Sequence, residues 1–326
     1  MGSQWSQFFP PKPNFSEIGS LDGKVFIVTG GASGIGYELT KMLYQRGGHV
    51  YIAGRSESKV RAAIEELAGS TPAGTPGVGK LDFLHLELDD LTSIKASVDE
   101  FKSKETKLHV LWNNAGVSRP PVGSSSKQGL ELQLATNCLG PFLFTQLLLP
   151  LMQATASTET EDGQAFGSAR VVWTSSQSVE LTAPKGGIVM SEIHHPPADT
   201  TRLYNNSKAG NMFLASELAR RHGIASVSTN PGAASTNLFR HTPYVQYLAW
   251  PLLHKPAMAA LTQLFAGVSK DIGEADLKGG YIIPWGRVSA NLRDDLREAM
   301  KLPEEGGSGR ASEFWDFCVD ATSKFH

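Results

Sequence analysis

The stretch Thr29-Gly30-Gly31-Ala32-Ser33-Gly34-Ile35-Gly36 follows an apolar run at residues 24–28 and precedes a helical pattern of apolar residues that begins at Leu39. This order predicts a strand, a glycine turn and a helix start, an arrangement that points backbone N–H groups at a phosphate. In such a turn, Gly30 permits the tight bend, Gly34 lets the backbone approach a pyrophosphate, and Gly36 lets the helix pack against its strand. The G-x3-G-x-G spacing differs from the commoner dinucleotide fingerprint, so a glycine-rich surface turn is the alternative in a chain with 33 glycines.

Apolar runs and helical patterns alternate along the chain after this turn. We predict strands at residues 25–29, 49–53, 83–88, 109–112, 170–174 and 226–229, and a last strand on the sheet edge at 279–284. The alternation indicates βαβ units, and therefore an α/β fold with a doubly wound parallel sheet and helices on both faces. The apolar run at 142–152 is bounded by Pro141 and Pro150 and is too short to span a bilayer, so we predict a buried helix there.

The domain organisation follows from the absence of any composition shift. We predict an N-terminal arm at 1–21, one catalytic domain at 22–290 with a small C-terminal substrate lobe at about 237–270, and a tail at 291–326. Surface loops are expected at 69–79, 155–168 and 179–201. The aromatic residues of 237–254 line an apolar pocket or form the core face of a helix. Phe314, Trp315 and Phe317 of the tail dock on the body or on a neighbouring subunit.

Composition and charge exclude several classes of function. The chain has 30 basic and 32 acidic side chains and a net charge of −2, which gives no electrostatic case for a nucleic-acid or anionic-membrane partner. Two cysteines without a CxxC motif indicate neither a disulfide framework nor a metal site. Residues 1–20 lack the basic and apolar regions of a secretory signal, and no transmembrane segment is evident. We therefore expect a reducing, cytoplasmic location.

The end of the second predicted strand bears on the choice of cofactor. In a dinucleotide-binding fold, an acidic residue at that end bonds the 2′-hydroxyl of the adenine ribose. Here the strand leads into Gly54, Arg55 and Ser56, and no carboxylate is present. The planar guanidinium of Arg55 is suited to a 2′-phosphate, which predicts NADP(H) rather than NAD(H). The alternative is an ordinary exposed arginine before a helix capped by Ser56.

A tyrosine and a lysine at helical spacing are candidates for acid–base chemistry. Tyr204 and Lys208 are four residues apart, which places them on one helix face, where the cation would lower the pKa of the phenol. Tyr37 and Lys41 have the same spacing, so the spacing alone does not decide between the pairs. The context favours Tyr204, because the strand at 170–174 ends in serines at the carboxyl edge where open α/β sheets bind ligands.

Seven motifs follow one another in a characteristic order: residues 29–36, Leu88-Asp89, Asn113-Asn114-Ala115-Gly116, Asn137 within 136–140, Ser176, the Tyr204 and Lys208 pair, and Pro231-Gly232 with Thr236. Through these motifs, which span roughly residues 22–240, the chain resembles the short-chain dehydrogenase/reductase family. Within it, the chain is similar to fungal retinol-dehydrogenase-like NADP-dependent oxidoreductases. The resemblance implies a Rossmann-type fold and homodimers or homotetramers.

The resemblance also implies catalytic roles. Tyr204 would donate the proton in reduction and act as the base in oxidation, while Lys208 would lower its pKa and contact the nicotinamide ribose. Ser176 would orient the carbonyl, with Ser175 as the less favoured choice. Asn137 would hold a water in a proton relay; apart from the resemblance, hydrogen bonding to the backbone or helix capping is the simpler interpretation of that residue.

The same resemblance implies a set of cofactor contacts. Asp89 would contact the adenine, Asn114 and Ala115 would flank its ribose, and Thr236 would hold the carboxamide; apart from the resemblance, Asp89 and Asp90 are also candidates for opening a helix near Thr92. The predicted cofactor-binding residues are Gly30, Ser33, Gly34, Ile35, Gly36, Arg55, Asp89, Asn114, Ala115, Tyr204, Lys208, Pro231, Gly232 and Thr236.

The predicted function is therefore an NADP(H)-dependent carbonyl reductase or secondary alcohol dehydrogenase. It would transfer a hydride to or from a mid-sized apolar ketone, aldehyde or alcohol, in specialised metabolism. Two alternatives keep the cofactor without net redox chemistry: an NADP(H) sensor, and a reductase scaffold used for a cyclisation or isomerisation. A sensor would need the glycine turn but not Asn137, Ser176, Tyr204 and Lys208 together.

Overall fold

The unbroken apolar runs of the sequence form strands that are covered on both faces. The computed structural model describes residues 6–7, 17–70, 77–161, 163, 166–236 and 253–326. The strands in this part of the chain are β1 (Val25–Thr29), β2 (His49–Gly54), β3 (Lys80–His85), β4 (Val110–Asn113), β5 (Arg170–Thr174), β6 (Ala225–Thr229), β7 (Lys278–Ile283) and β8 (Arg287–Val288). They form one sheet in the order β3-β2-β1-β4-β5-β6-β7-β8, in which only β8 is antiparallel to its neighbour.

Helices cover both faces of this sheet. The α-helices of four or more residues in the described part of the chain are α1 (Gly34–Tyr44), α2 (Glu57–Gly69), α3 (Leu91–Lys104), α4 (Gly140–Glu161), α5 (Gln177–Thr182), α6 (Ser191–His194), α7 (Thr200–His222), α8 (Pro256–Val268), α9 (Asp294–Met300) and α10 (Arg310–Thr322). Alternate residues of β1 belong to two separate cores: Ile27 packs with residues of α3, α4 and α7, whereas Phe26 and Val28 pack with residues of α1 and α8. The predicted doubly wound fold is therefore confirmed.

The long apolar stretch predicted as a buried helix forms α4 with the turns before it. An α-helical turn, Leu132–Leu134, and a π-helical turn, Ala135–Leu139, lead into α4. This combined helix is long and apolar enough to cross a membrane, but 78% of its apolar window is buried inside the fold, as in a core helix. Pro150 lies inside α4 rather than at its end, because burial against α3 outweighs the roughly 3 kcal/mol cost of an interior proline.

Both edges of the sheet differ from the prediction. The third strand is β3 at Lys80–His85 rather than 83–88, because Leu86 and Leu88 are buried in the segment that follows the strand and resemble strand residues in sequence. β7 is not the edge strand, since Val288 of β8 pairs antiparallel with Ile282. A two-residue strand has no alternation that sequence patterning can detect.

Two segments predicted as loops contain helices. Residues 155–161 belong to α4, where the Thr155 hydroxyl accepts a hydrogen bond from the Leu108 N–H (3.0 Å) and Glu159 pairs with Lys24. The side chains of Thr155 and Glu159 are buried, and the polar composition of the segment gave no sign of this burial. The segment 179–201 contains the end of α5, all of α6 and the start of α7. Within the predicted loop 69–79, residues 71–76 lie outside the described residues.

The predicted tail and lobe are partly built into the core. α9 and α10 pack against α7; Phe314 and Trp315 are buried, and Phe317 is half-buried against the same core, so the tail covers the body of its own chain. α8 lies on the sheet within the helix layer rather than in a separate lobe. Residues 237–252 and the arm aromatics Trp5, Phe8 and Phe9 lie outside the described residues, so the expectations for them stay predictions.

Candidate active site

The carboxyl ends of the parallel strands open into one cleft. Its volume is about 1110 Å³, and residues that follow β1, β2, β4, β5 and β6 line it. This is the edge at which open α/β sheets bind ligands, and the volume exceeds that of an ordinary single-ligand pocket. All fourteen residues predicted to hold a cofactor line this cleft, together with Ser176.

The glycine turn forms the floor of one end of the cleft. Gly30 and Gly34 have left-handed backbones, with φ of +67° and +57°, which side chains disfavour. At Gly36, an added Cβ would overlap the Gly30 carbonyl oxygen and lie 2.7 Å from Asn114 Nδ2. The N-terminus of α1 therefore approaches both β1 and the segment after β4 as closely as a glycine allows.

The Thr29 side chain ties the turn to the end of β4. Its hydroxyl donates to the Trp112 carbonyl (3.1 Å) and accepts from the N–H groups of Asn114 and Ala115, both at 2.9 Å. The Asn114 amide donates in return to the Thr29 carbonyl (2.9 Å). Asn114 thus fixes the shape of the glycine turn in addition to lining the cleft. Sequence reasoning missed the role of Thr29, although its place directly before the glycines was a usable signal.

Replacing Gly36 by Ala is expected to weaken dinucleotide binding about tenfold or more. The new methyl group must displace the Gly30 carbonyl or the Asn114 amide, and such overpacking costs about 1–3 kcal/mol. Titration with a nicotinamide dinucleotide, followed by fluorescence, measures the loss. Gly69→Ala, where an added Cβ meets nothing within 4 Å, is the matched control. Unchanged affinity in Gly36→Ala would show that the turn does not bind the dinucleotide.

Arg55 and Asp89 meet at the end of the cleft beyond β2. Arg55 Nη1 lies 3.7 Å from Asp89 Oδ2, and the Arg55 side chain is 66% exposed, so the contact is a weak surface pair. Asp90, not Asp89, caps α3, because its carboxylate accepts from the Thr92 N–H at 3.1 Å. Asp89 is thereby left on the cleft wall, and the guanidinium of Arg55 keeps donors directed to solvent.

The serine pair after β5 divides into a structural and a cleft residue. The Ser175 hydroxyl is buried and donates to the Lys208 carbonyl (2.8 Å). The Ser176 hydroxyl caps α5, accepting from the Ser178 N–H (3.2 Å) and from the Ser178 hydroxyl (3.0 Å), and its hydrogen-bonding effect lowers the pKa of the Tyr204 phenol. Both serines line the cleft, but only Ser176 affects the pKa of Tyr204, in line with the preference for the second serine.

The electrostatics of Tyr204 differ from the expectation. Burial raises the pKa of the Tyr204 phenol, while the Ser176 hydrogen bond and the positive charge of Arg119 lower it, so the net shift is upward. Lys208 Nζ lies 5.8 Å from the centre of the Tyr204 ring and donates to the Thr174 carbonyl (2.9 Å). The net shift is therefore opposite to the predicted lowering, and the stabilisation of the phenolate by Lys208 stays a prediction.

Lys208 is a buried cation without a carboxylate partner in the described part of the chain. Burial lowers the pKa of its ammonium group to about 8. The Thr174 carbonyl that accepts its hydrogen bond also accepts one from Asn211 Nδ2 (2.8 Å). A cation held in this way, without charge compensation, is typical of a functional site.

Asn137 stands behind the cleft wall and does not line it. Its amide oxygen accepts from the Val117 N–H (2.8 Å), and its amide nitrogen donates to the Val117 carbonyl (3.0 Å) and the Ser207 hydroxyl (2.9 Å). This is the backbone hydrogen bonding that the residue alone suggested. Asn137 therefore positions the segment that carries Gly116, and its water-holding role stays a prediction.

The second tyrosine–lysine pair is not part of this site. Tyr37 lies in α1 and does not line the cleft. Burial and a hydrogen bond with Glu66 raise the pKa of Tyr37 to about 12. The structure thus separates two pairs that the spacing left equivalent.

The glycine turn, Ser176, Tyr204 and Lys208 line one cleft, which is the arrangement expected of a dinucleotide-dependent enzyme. The model of the short chain dehydrogenase family matches residues 24–187, and the chain belongs to this short-chain dehydrogenase/reductase family of oxidoreductases. The short-chain dehydrogenase/reductase iacJ of Pestalotiopsis fici is 43% identical over 330 residues, covering 98% of this chain and 97% of its own. The short-chain dehydrogenase/reductase pkfC of Emericella nidulans is 42% identical over 292 residues, covering 87% and 91%.

Solved structures show the same fold at low sequence identity. An uncharacterised protein from Mycobacterium paratuberculosis has a TM-score of 0.66 and 24% identity, covering 94% of this chain and 96% of its own. RhlG from Pseudomonas aeruginosa, solved with NADP, has a TM-score of 0.60 and 22% identity over 82% of this chain and 96% of its own. A 3-ketoacyl-(acyl-carrier-protein) reductase from Brucella melitensis, solved with NADH, has a TM-score of 0.60 and 20% identity over 82% and 98%.

Proposed function

We propose that the protein is an NADP(H)-dependent carbonyl reductase or secondary alcohol dehydrogenase acting on a mid-sized, largely apolar compound. The observation that carries this proposal is that Ser176, Tyr204 and Lys208 line the same cleft as the glycine turn. The hydroxyl groups of Ser176 and Tyr204 are suited to bond a substrate oxygen together. The rest of the cleft is large enough for a dinucleotide beside it.

The chain's own residues supply positioning and a proton. Ser176 orients the substrate carbonyl, and Tyr204, whose pKa is above that of an ordinary phenol, carries the proton that the new alcohol oxygen receives. Lys208 holds a positive charge behind Tyr204 and stabilises the phenolate left after the transfer. When bound, the nicotinamide cofactor supplies or accepts the hydride.

The cofactor fits the residues present at its end of the cleft. The left-handed glycines and the N-terminus of α1 are suited to a pyrophosphate. No acidic residue ends β2; instead Arg55 extends over the cleft from its end, and its only carboxylate contact among the described residues is the one with Asp89. This arrangement supports a preference for the 2′-phosphate of NADP(H).

Arg55→Ala is expected to reduce the NADPH-over-NADH preference in kcat/KM by about 10- to 100-fold. A hydrogen bond to a charged group contributes about 1.5–3 kcal/mol, which Ala removes for NADPH only. Arg61→Ala is the matched control, because Arg61 pairs with Glu57 on α2 and does not line the cleft. A variant that kept the NADPH preference would contradict the assignment of Arg55.

A screen of aryl and alkyl ketones, aldehydes and secondary alcohols, followed by NADPH absorbance, tests the function itself. The expected result is turnover of apolar carbonyl compounds that Tyr204→Phe abolishes. Binding of NADPH without turnover of any compound would instead support a sensor or a non-redox scaffold.

A further inference from the structure

One cation in the substrate end of the cleft is not used by the proposed mechanism. Arg119 follows β4 and lines the cleft. Among the described residues it is the one non-glycine residue with a left-handed backbone, with φ of +48°. Its N–H donates to the Gln133 amide oxygen at 2.8 Å, which holds this disfavoured backbone in place. The fold thus maintains Arg119 in a strained position next to the reacting groups.

The Arg119 side chain points at the catalytic phenol. Its guanidinium carbon lies 5.3 Å from the centre of the Tyr204 ring, and Nε donates to the Thr201 hydroxyl at 3.2 Å. A guanidinium has donors on all three nitrogens, so the two terminal nitrogens remain available for a planar, bidentate acceptor.

No carboxylate within the described ranges pairs with Arg119. The neighbouring acidic side chains are engaged elsewhere: Glu131 and Asp199 cap helices, and Glu192 pairs with Arg202. Among the residues outside the described ranges only Asp162 is acidic, and in sequence it follows the end of α4 and precedes β5, away from the segments that follow the strands.

The charge of the cleft is strongly one-sided. In the described part of the chain its lining includes the cations Arg55, Lys59, Arg119 and Lys208, but only one carboxylate, Asp89, which lies at the far end beside Arg55. Such an excess of positive charge in a cleft attracts anionic ligands.

We propose that Arg119 binds a carboxylate of the substrate, so that the enzyme acts on keto acids or hydroxy acids with an otherwise apolar body. The proposal rests on the proposed function and defines its substrate class. The apolar part has matching surface beside Arg119: Pro120, Pro121 and Leu181 line the same cleft, and Leu181 is 53% exposed. One end of the substrate is thereby fixed by charge, while Ser176 and Tyr204 bond the reacting oxygen.

The test compares matched pairs of substrates. Benzoylpropionate and benzoylbutyrate are each assayed against their methyl esters, which keep the ketone and the apolar body but lose the charge. In whichever acid–ester pair is turned over faster, wild type is expected to favour the acid over its ester by about 10- to 100-fold in kcat/KM. This is the range expected for one charge-assisted hydrogen-bond pair. Arg119→Gln removes that preference by slowing the acid and not the ester, and Arg119→Lys retains part of it.

Controls separate this role from others. Arg202→Gln, which breaks a pair with Glu192 outside the cleft lining, leaves the acid preference unchanged. Equal losses on acid and ester in Arg119→Gln, with a shifted pH profile, would mean that Arg119 acts on the Tyr204 phenol and would overturn the carboxylate assignment. Equal rates on acids and esters in wild type overturn it as well.

A binding measurement gives a readout that does not depend on turnover. Phenylbutyrate, which has no carbonyl to reduce, is expected to raise the Tm of the NADPH-loaded wild type, whereas phenylbutyramide and the Arg119→Gln variant give no such rise. A rise of equal size with the amide contradicts the proposal. If esters are reduced but acids are not preferred, only the Arg119 assignment fails; if neither is reduced and phenylbutyrate does not bind, the proposed function fails with it.

Discussion

Replacing Tyr204 by Phe is expected to lower kcat for ketone reduction by about 10²–10⁴-fold, the contribution of a positioned general acid. Phe keeps the ring that packs in the buried position but removes the hydroxyl that would carry the proton. Because Arg119 and Lys208 approach the ring rather than bond the hydroxyl, the surrounding side chains have no reason to rearrange. Steady-state rates, with NADPH affinity and Tm measured on the same preparations, separate lost chemistry from lost folding.

The chain provides a matched control in its other tyrosine–lysine pair. Tyr37→Phe makes the same chemical change at the same Y-x-x-x-K spacing, but in α1, outside the cleft lining and beside Glu66. Its kcat is expected to match wild type. A loss of rate in Tyr37→Phe together with an active Tyr204→Phe would place the chemistry on α1 instead of α7 and contradict the proposed site.

Most strands that form the cleft could be predicted closely from sequence. β1 and β5 have the predicted bounds, β2 and β6 differ by one residue at one end, and β4 is shifted by one residue, because strands buried on both faces are unbroken apolar runs. The edges were predicted less well. β3 is partly exposed and β8 has two residues, so neither gives a clear periodic signal. The bounds of the central strands of a parallel sheet are therefore easier to predict from sequence than those of its edge strands.

For the candidate site, the sequence predicted which residues lie together better than it predicted their surroundings. The order of the motifs predicted the glycine turn, Ser176, Tyr204 and Lys208 at one site, and the structure brings them to one cleft, while their roles stay predictions. The direction of the Tyr204 pKa shift was not predicted, since burial depends on elements far apart in sequence. Arg119 was missed for the same reason: its proximity to Tyr204 arises from the loop after β4 and the bond to Gln133, and no local pattern marks it.

Replacing Lys208 by Met is expected to change activity and stability in opposite directions. Activity falls by about 10²–10³-fold, because the positive charge that stabilises the Tyr204 phenolate is lost. Stability rises, because the wild type buries an ammonium group without a carboxylate partner among the described residues, and burial lowers its pKa from 10.5 to about 8. At neutral pH that depression corresponds to at most about 3 kcal/mol of destabilisation, which Met removes while filling similar space. The Thr174 carbonyl keeps its bond from Asn211.

The stability difference between Lys208→Met and wild type is expected to depend on pH, which a change in packing alone would not produce. Between about pH 8 and 10.5 the unfolded chain retains the Lys208 proton that the folded chain has released, so the stability of wild type rises with pH in that window. The stability advantage of Lys208→Met is therefore complete below about pH 8 and disappears towards pH 10.5. Urea unfolding of both proteins across this range measures the difference in their unfolding free energies. The contributions of the titratable groups that both proteins share cancel in this difference. A difference in unfolding free energy that does not change with pH, or a Met variant less stable than wild type at pH 7, would show that burying Lys208 does not destabilise the fold. The expectation that Lys208 lowers stability while supporting catalysis would then be wrong.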